Sequence, residues 1–594
     1  MARHGHRRGR AAADAQRVGV ADEQEQWADV GALSAPPSPR SRHRPGEGPI
    51  EAGLLAHAGE VAEGVGRMLR FLAARRAELL RAPGPLDAFR GVALRHVFRP
   101  TSVYVRLAML SCAARLMRDG RLRDIALERL ARPLLRLTER PAFPGIIDAE
   151  KRALNDLDIP YFHTTTDSRD LHDRHGRVAE AMFAAPAMEA LRQRLAALDE
   201  AHIRRQQRIV GLALQARIAD AAPAEAPAGV AERGDALQAA LAIGRALGEV
   251  TEPAPGGEGC WWHCLQYNPG QDVMLYGGTA AGLGDGAGGI ALFLTALAGA
   301  SDDAHIGGWR DGALAVVAVA AELLLAMPRL EARECGLLEG AAGLAYVVIV
   351  CGRSLGRAAL MGRGVELAGR AARACAGEPN NLALSNGLAG VALACQAVSE
   401  LADVPELEAC LPRWQAVLAG HAARLGEVGL LQGRAGVALA AGRLARGRRN
   451  AAAIALSGLG GIPAASSTLG EGNAGLLLAA LAGGEPELGA RLVAALASLP
   501  PSGNDSLVRG NAGLARALRA AATSRSDEVG AMAAAASARL DATLAARAFG
   551  ASFAPVTPKL AGVTVPGLLN GVAGIGLCLL RSRPCEMPDA LGFA

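Results

Sequence analysis

Seven Gly-x-x-Gly steps, each followed by an apolar stretch rich in Ala and Leu, run through the second half of this chain. They begin at Gly286, Gly340, Gly387, Gly433, Gly472, Gly510 and Gly571, spaced by 54, 47, 46, 39, 38 and 61 residues. That period suits one helical hairpin per repeat. A glycine pair three apart at a helix start lets backbones approach closely where inner helices converge. Seven such hairpins predict a closed α/α ring with every motif turn on one rim. Function is expected at that rim.

The rest of the composition agrees with helix. At 594 residues the chain has room for two or more domains, each with its own core. Apolar residues make up 51% but aromatics only 3%, so the cores must be built from Ala, Leu and Val. Ala and Leu favour helix, and the expected class is all-α dominated. The net charge of +5 is scattered, with a run only in the Arg/His-rich first ten residues, which argues against nucleic acid as a partner. Ten dispersed cysteines without a secretory signal read as reduced thiols in a cytoplasm. The longest apolar run, Ala313–Met327, carries Glu322 and stops at Pro328. It falls short of the roughly 18–20 residues that span a bilayer, so it is expected as a buried inner helix rather than a transmembrane segment.

Four segments follow from the patterning. Residues 1–48 mix Arg, His, Gly, Pro and acids without periodicity and are expected to be disordered, even foreign to the folded protein. Residues 49–220 are mainly helical, with apolar residues at three-to-four spacing at both ends and a less regular stretch from Pro83 to Arg177. Residues 221–234 form a Pro/Ala/Gly linker, and 235–594 hold the repeats.

These residues resemble the class II lanthipeptide synthetases (LanM), which fuse a dehydratase to a LanC-type cyclase. LYGGTAAGLGDGAGGIALFLTALAG resembles the opening cyclase repeat, and PGLLNGVAGIGLCLLRSRPCEMPDAL the closing one. FRGVALRHVFRPTSVYVRL and AEKRALNDLDIPYF resemble the end of the dehydratase domain. The resemblance covers about residues 50–594. It implies a LanC-like α/α toroid over 235–594 and a partial, N-terminally truncated dehydratase domain over 49–220. The implied chemistry is phosphorylation of a precursor-peptide Ser or Thr, elimination of the phosphate, and addition of a peptide cysteine to form a thioether ring. The implied partner is that precursor peptide or a related enzyme.

By the same resemblance, cyclisation uses zinc held by a Cys two residues before the fifth motif glycine and a Cys-His pair before the sixth. Here those positions are Gly470, Val508 and Arg509. Gln432 stands where the family carries a His, and no aspartate lies just before Gly387. No zinc site of that type is expected. Cys260, His263 and Cys264 in CWWHC would share one face if helical and could then hold a metal. The plainer reading is a packed entry segment ahead of the ring. The kinase-like residues that would take ATP and Mg²⁺ are also missing, because the only lysines are Lys151 and Lys559.

What the resemblance implies is retained is the phosphate-elimination pair. Arg95 and Thr101 in RHVFRPT match the family's arginine and threonine six residues apart, with Arg99 between them. A guanidinium can hold a leaving phosphate bidentately and a hydroxyl can orient it. On the rim, Asp285, Glu339, Asn386, Gln432, Glu471, Arg509 and Asn570 immediately precede the seven motif glycines. They are read either as a substrate-binding mouth or as caps on the inner helices. Three functional readings stay open: a degenerate synthetase retaining phosphate elimination, a non-catalytic peptide-binding scaffold, and a toroidal glycosidase using Asp285, Glu339 and Glu471.

Overall fold

In and around the less regular stretch from Pro83 to Arg177 the chain forms an antiparallel sheet as well as helices. A computed structural model describes residues 50–131, 143–215, 235–254, 259–268, 273–377, 379–421, 425, 427–445, 466–549 and 565–580. They fall into two compact units, one built on His57–Val210 and the other on Gly211–Ala594. The segments read as disordered (1–48) and as a linker (221–234) lie outside the described residues.

In the first unit, β1 (Ala93–His96), β2 (Phe162–Thr165), β3 (Leu171–Asp173) and β4 (Gly176–Ala179) pair in chain order. Aromatic and β-branched residues in Phe162-His-Thr-Thr165 favour the pleat, and Phe162 and Thr164 point inward. Strands of three or four residues are too short to display a two-residue alternation, which is why this stretch reads only as less regular. The β3–β4 turn is set by Asp173, whose Oδ1 accepts from the His175 amide at 2.7 Å, and by Gly176 at φ +135°. Helix α2 (Phe143–Asn155) covers one sheet face, packing Ile146 and Ala149 on Phe162, Leu171 and Ala179. Helix α1 (Thr101–Ser111) buries Val103, Tyr104 and Leu107 against Leu127, Leu130 and Leu154.

The second unit begins with α3 (Ala236–Glu249) and a three-stranded antiparallel sheet. Its strands are β5 (Thr251–Pro253), β6 (Cys260–Asn268) and β7 (Val273–Gly278). CWWHC therefore lies on a strand, not a helix. Cys260 and Cys264 share one face and His263 the other, so the three do not converge. Cys260 Sγ instead lies 3.5 Å from the Trp309 carbonyl, Cys264 is buried, and His263 Nδ1 is 2.7 Å from the Tyr276 hydroxyl.

Seven inner helices follow, one per motif: α4 (Ala287–Ala300), α6 (Ala341–Ser354), α8 (Leu388–Ser399), α10 (Arg434–Leu444), α11 (Asn473–Gly483), α13 (Asn511–Ser524) and α15 (Val572–Leu580). Each packs on the next, and α15 packs back on α4, so the ring closes. These helices are mostly apolar and largely buried, as a central layer requires, although α13 carries Arg519, which pairs with Asp541 at 2.7 Å. Outside them, among the described residues, lie α3, α5 (Ala304–Ala326), α7 (Ala358–Ala374), α9 (Pro405–His421), α12 (Pro486–Ala497) and α14 (Glu528–Phe549). On α7, Leu360, Gly364, Leu367, Ala368 and Ala371 form one buried stripe at helical spacing. The apolar run from Ala313 lies in outer helix α5, contrary to the inner position expected for it. Leu323 there is exposed and Glu322 pairs with Arg363 at 2.9 Å. Among the described residues, no helix is long and apolar enough to cross a membrane.

The motif glycines have a common physical cause. The loop before each inner helix curls under the helix end, so its carbonyls accept the otherwise unsatisfied first amides. Ala287 donates to Ala280, Leu388 to Asn381, Arg434 to Glu427, Asn473 to Ser466, Asn511 to Asn504 and Val572 to Val565, at 2.7–3.0 Å. That brings the loop too close for side chains. A Cβ on Gly475 would lie 2.2 Å from the Leu469 carbonyl oxygen and 2.7 Å from Leu430 Cβ of the preceding repeat. Gly289 meets Leu568 of the seventh repeat in the same way, at 2.5 Å, which is how the last repeat joins the first.

Replacing Gly475 by alanine should destabilise the ring by about 1–3 kcal/mol, because backbone has to shift. The control, Gly489→Ala on α12, meets nothing nearer than 3.9 Å and should be neutral or mildly stabilising. Denaturant midpoints of the two variants check the contrast.

Candidate functional site

The residue two before each motif glycine bonds through its backbone to its neighbour in the next loop. Gly284 N–H donates to Leu338 O, Leu338 to Ser385, Ser385 to Leu431 and Leu431 to Gly470. Gly470 then donates to Val508, Val508 to Leu569, and Leu569 to Gly284, each at 2.9–3.1 Å. Seven amides thus form a closed belt around the rim. The residues following the belt are the seven rim positions, and the fold brings them to one mouth.

Their side chains do not cap their own helices. The motif glycine occupies the cap position and has no side chain to bond, while the loop carbonyls serve the amides. Asp285 is partly buried, and its Oδ1 accepts from the amides of Leu569 and Asn570 at 3.1 and 2.9 Å. Its Oδ2 accepts from Asn570 Nδ2 at 2.7 Å, so two rim positions bind each other across the ring's seam. Gln432 Nε2 donates to Ser385 Oγ at 2.7 Å, and Arg509 Nη2 lies 3.7 Å from Glu471 Oε1. Asn386 is exposed.

Glu339 differs from the others. Water reaches it, yet surrounding protein hems its carboxylate in, with Oε2 2.5 Å from where a Gly282 Cβ would stand. Among the described residues it has no hydrogen-bond or ion-pair partner. That confinement, with the nearby charge of Asp285 as second cause, pushes its carboxyl up to about 7. Burial likewise raises Asp285, against the lowering effect of its hydrogen bonds. Glu339 therefore holds its proton to higher pH than an ordinary glutamate, a difference that residue type alone could not have revealed.

The three positions that the resemblance assigns to zinc do not fit a metal. Zinc takes thiolate, imidazole or carboxylate donors, and Gly470, Val508 and Arg509 supply none. Val508 is buried, and its Cγ1 would lie 2.7 Å from a Cβ on Gly470, so an apolar contact occupies that corner. Arg509 places a cation beside it.

In the first unit, Arg95 stands exposed on β1 with its guanidinium 5.6 Å from the Tyr161 ring centroid. Thr101 is exposed at the first position of α1, and no hydrogen bond joins it to Arg95. Arg99 is not available to share their work. It is buried and held by Glu150, Nε to Oε1 at 2.8 Å, and its Nη2 donates to the Leu130 carbonyl at 2.7 Å. Tyr104 completes that cluster by donating to Glu150 Oε1 at 2.7 Å. Lys151 is occupied as well, 2.9 Å from Asp124 and 2.5 Å from Glu128; Lys559 lies outside the described residues.

A family model described as "Domain of unknown function (DUF4135)" matches residues 9–165, a span that includes Arg95 and Thr101. A search of curated proteins returns no match. Among solved structures, nisin cyclase is similar at 15% identity and a TM-score of 0.41, over 53% of this chain and 92% of that one.

The Glu339 shift has a defined sign. Its carboxyl titrates higher in the folded chain than the ordinary 4.5, so its contribution favours folding most below about 4.5 and is lost as pH rises through about 7. Glu339→Gln should flatten the pH dependence of stability across that window, measured by denaturation at stepped pH. An unchanged profile would show that Glu339 titrates as an ordinary glutamate.

Proposed function

We propose that this chain is a lanthipeptide-synthetase-like protein that eliminates phosphate from a phosphorylated precursor peptide and has lost thioether cyclisation. On this reading residues 49–220 are the dehydratase-derived part and 235–594 the cyclase-type part. The observation that carries it is the closed seven-helix ring, entered through Gly-x-x-Gly turns, with no ligand atom at Gly470, Val508 or Arg509. Thioether formation needs a thiolate near neutral pH, and a free cysteine, with pKa about 8.5, is mostly protonated there. Without a metal to hold the sulfur, the ring keeps the shape of a cyclase and lacks its activating device.

Elimination makes smaller demands. A base removes the Cα hydrogen of phosphoserine or phosphothreonine, those electrons form the Cα=Cβ bond, and the Cβ–O bond breaks as phosphate leaves with its pair. The leaving group carries the developing charge, so a guanidinium beside it lowers the barrier. Arg95 is exposed, and the Tyr161 ring beneath it limits where its guanidinium can swing. The Thr101 hydroxyl is the second donor on this reading. Five exposed polar rim side chains favour a second reading, in which the mouth binds peptide without chemistry.

One assay separates the two. Phosphoserine and phosphothreonine peptides are incubated with the full chain and followed by mass for loss of phosphoric acid. Elimination should slow by about 10²–10³-fold in Arg95→Ala. No Arg95-dependent loss leaves the binding scaffold. One tightly held zinc per purified chain would overturn the loss of cyclisation.

A further inference from the structure

The first unit's sheet carries a row of side chains that neither the packing nor the Arg95–Thr101 pair explains. Register sets Arg95 opposite His163, His163 opposite His172, and His172 opposite Arg177. Residues directly opposite in antiparallel strands project from one face. The other face is the buried one, where Phe162, Leu171 and Ala179 meet α2. The row therefore stands on the open face, with both arginines exposed and both imidazoles half-buried.

Four side chains able to carry positive charge, aligned across four strands, oppose one another. The two ends of the row resolve this differently. Arg177 is met by carboxylates, Asp170 Oδ2 at 3.6 Å and Glu180 Oε2 at 3.9 Å. Arg95 has no carboxylate among the described residues and lies over Tyr161 instead. Next to it the His163 ring is 5.9 Å from Tyr161 and 5.7 Å from His172, tilted by 33° and 34°. His163 Nδ1 is shielded from water and has no hydrogen-bond partner. A buried polar nitrogen left unpaired is costly, and a turn of the ring that brings its N–H to the open face would let an anion laid along this end of the row satisfy it.

We propose that Arg95, His163 and His172 form a binding site for a phosphate monoester. The guanidinium grips two phosphate oxygens, the imidazole N–H groups reach the third oxygen and the ester side, and Tyr161 holds Arg95 in place. β1 is an edge strand of the sheet, so the arginine end is open to a ligand as large as a peptide. This deepens the elimination reading and rests on it in taking a phosphopeptide as the ligand. Inorganic phosphate shares the chemistry and is separated by experiment.

The test is calorimetric titration of the full chain with a phosphoserine peptide, its unphosphorylated twin and inorganic phosphate. Variants are Arg95→Ala, His163→Phe and His172→Phe, with Arg245→Ala of the other unit as control and circular dichroism to verify folding. The phosphopeptide should bind at least tenfold more tightly than its twin. Each Phe variant should weaken it about tenfold, Arg95→Ala more, and the control not at all. Equal binding of the two peptides, or unchanged affinity in both Phe variants, overturns the site. Binding of inorganic phosphate alone overturns the monoester assignment. Intact phosphopeptide binding with no elimination sinks only the catalytic reading; Arg95-dependent elimination with unchanged affinity in both Phe variants sinks only this site.

Discussion

The contact of a loop carbonyl with the start of an inner helix governs the second unit. Each loop passes directly beneath a helix end and offers its oxygens to amides that would otherwise go unsatisfied. The approach leaves room for hydrogen and nothing larger at the second motif glycine, as the 1.8–2.5 Å spacings at Gly289, Gly343, Gly390, Gly436, Gly475, Gly513 and Gly574 record. The belt of amides and the position of every rim side chain follow from that one close passage. Because the belt is backbone, it tolerates glycine, leucine, serine or valine at its seven stations. Side chains at these stations can therefore change without disturbing the ring.

Much of this was legible in the sequence, for a physical reason. Glycine at a fixed offset before an apolar stretch is a steric demand repeated seven times, and steric demands leave regular traces. The inner helices, their number and the shared rim of their turns could be read from it. The sheet of the first unit left no comparable trace, since strands as short as Leu171–Asp173 offer one buried residue each. CWWHC is as ambiguous by itself: without a period to consult, helix and strand place Cys260, His263 and Cys264 quite differently, and only the strand separates them. The apolar run from Ala313 was put on the wrong layer because hydrophobic content alone does not separate an outer helix packed on several neighbours from a central one.

At the candidate sites, residue type could be read but environment could not. Glu339 and Glu471 look alike as letters before a motif glycine. One is confined beside Asp285 without a partner, and the other faces Arg509. Arg95 and Arg99 are four residues apart in one motif, yet the first meets water and an aromatic ring while the second is buried on Glu150. Only the register across β1–β3 brings His163 beside Arg95 and His172 beside His163, since the two histidines lie 68 and 77 residues downstream of Arg95 in sequence.

The seam between Gly284 and Leu569 also bears on how the molecule comes into being. An open stack of repeats can settle one unit at a time, since each touches only its neighbours. A circle cannot, because its first loop has an empty flank until the last repeat emerges, and Leu569 N–H meets Asp285 across 284 residues of chain. During synthesis the nascent protein would be a crescent with two raw apolar ends, the kind of species that invites aggregation or a chaperone. Stability of the finished ring is thus gained abruptly and late, when α15 drops between α13 and α4.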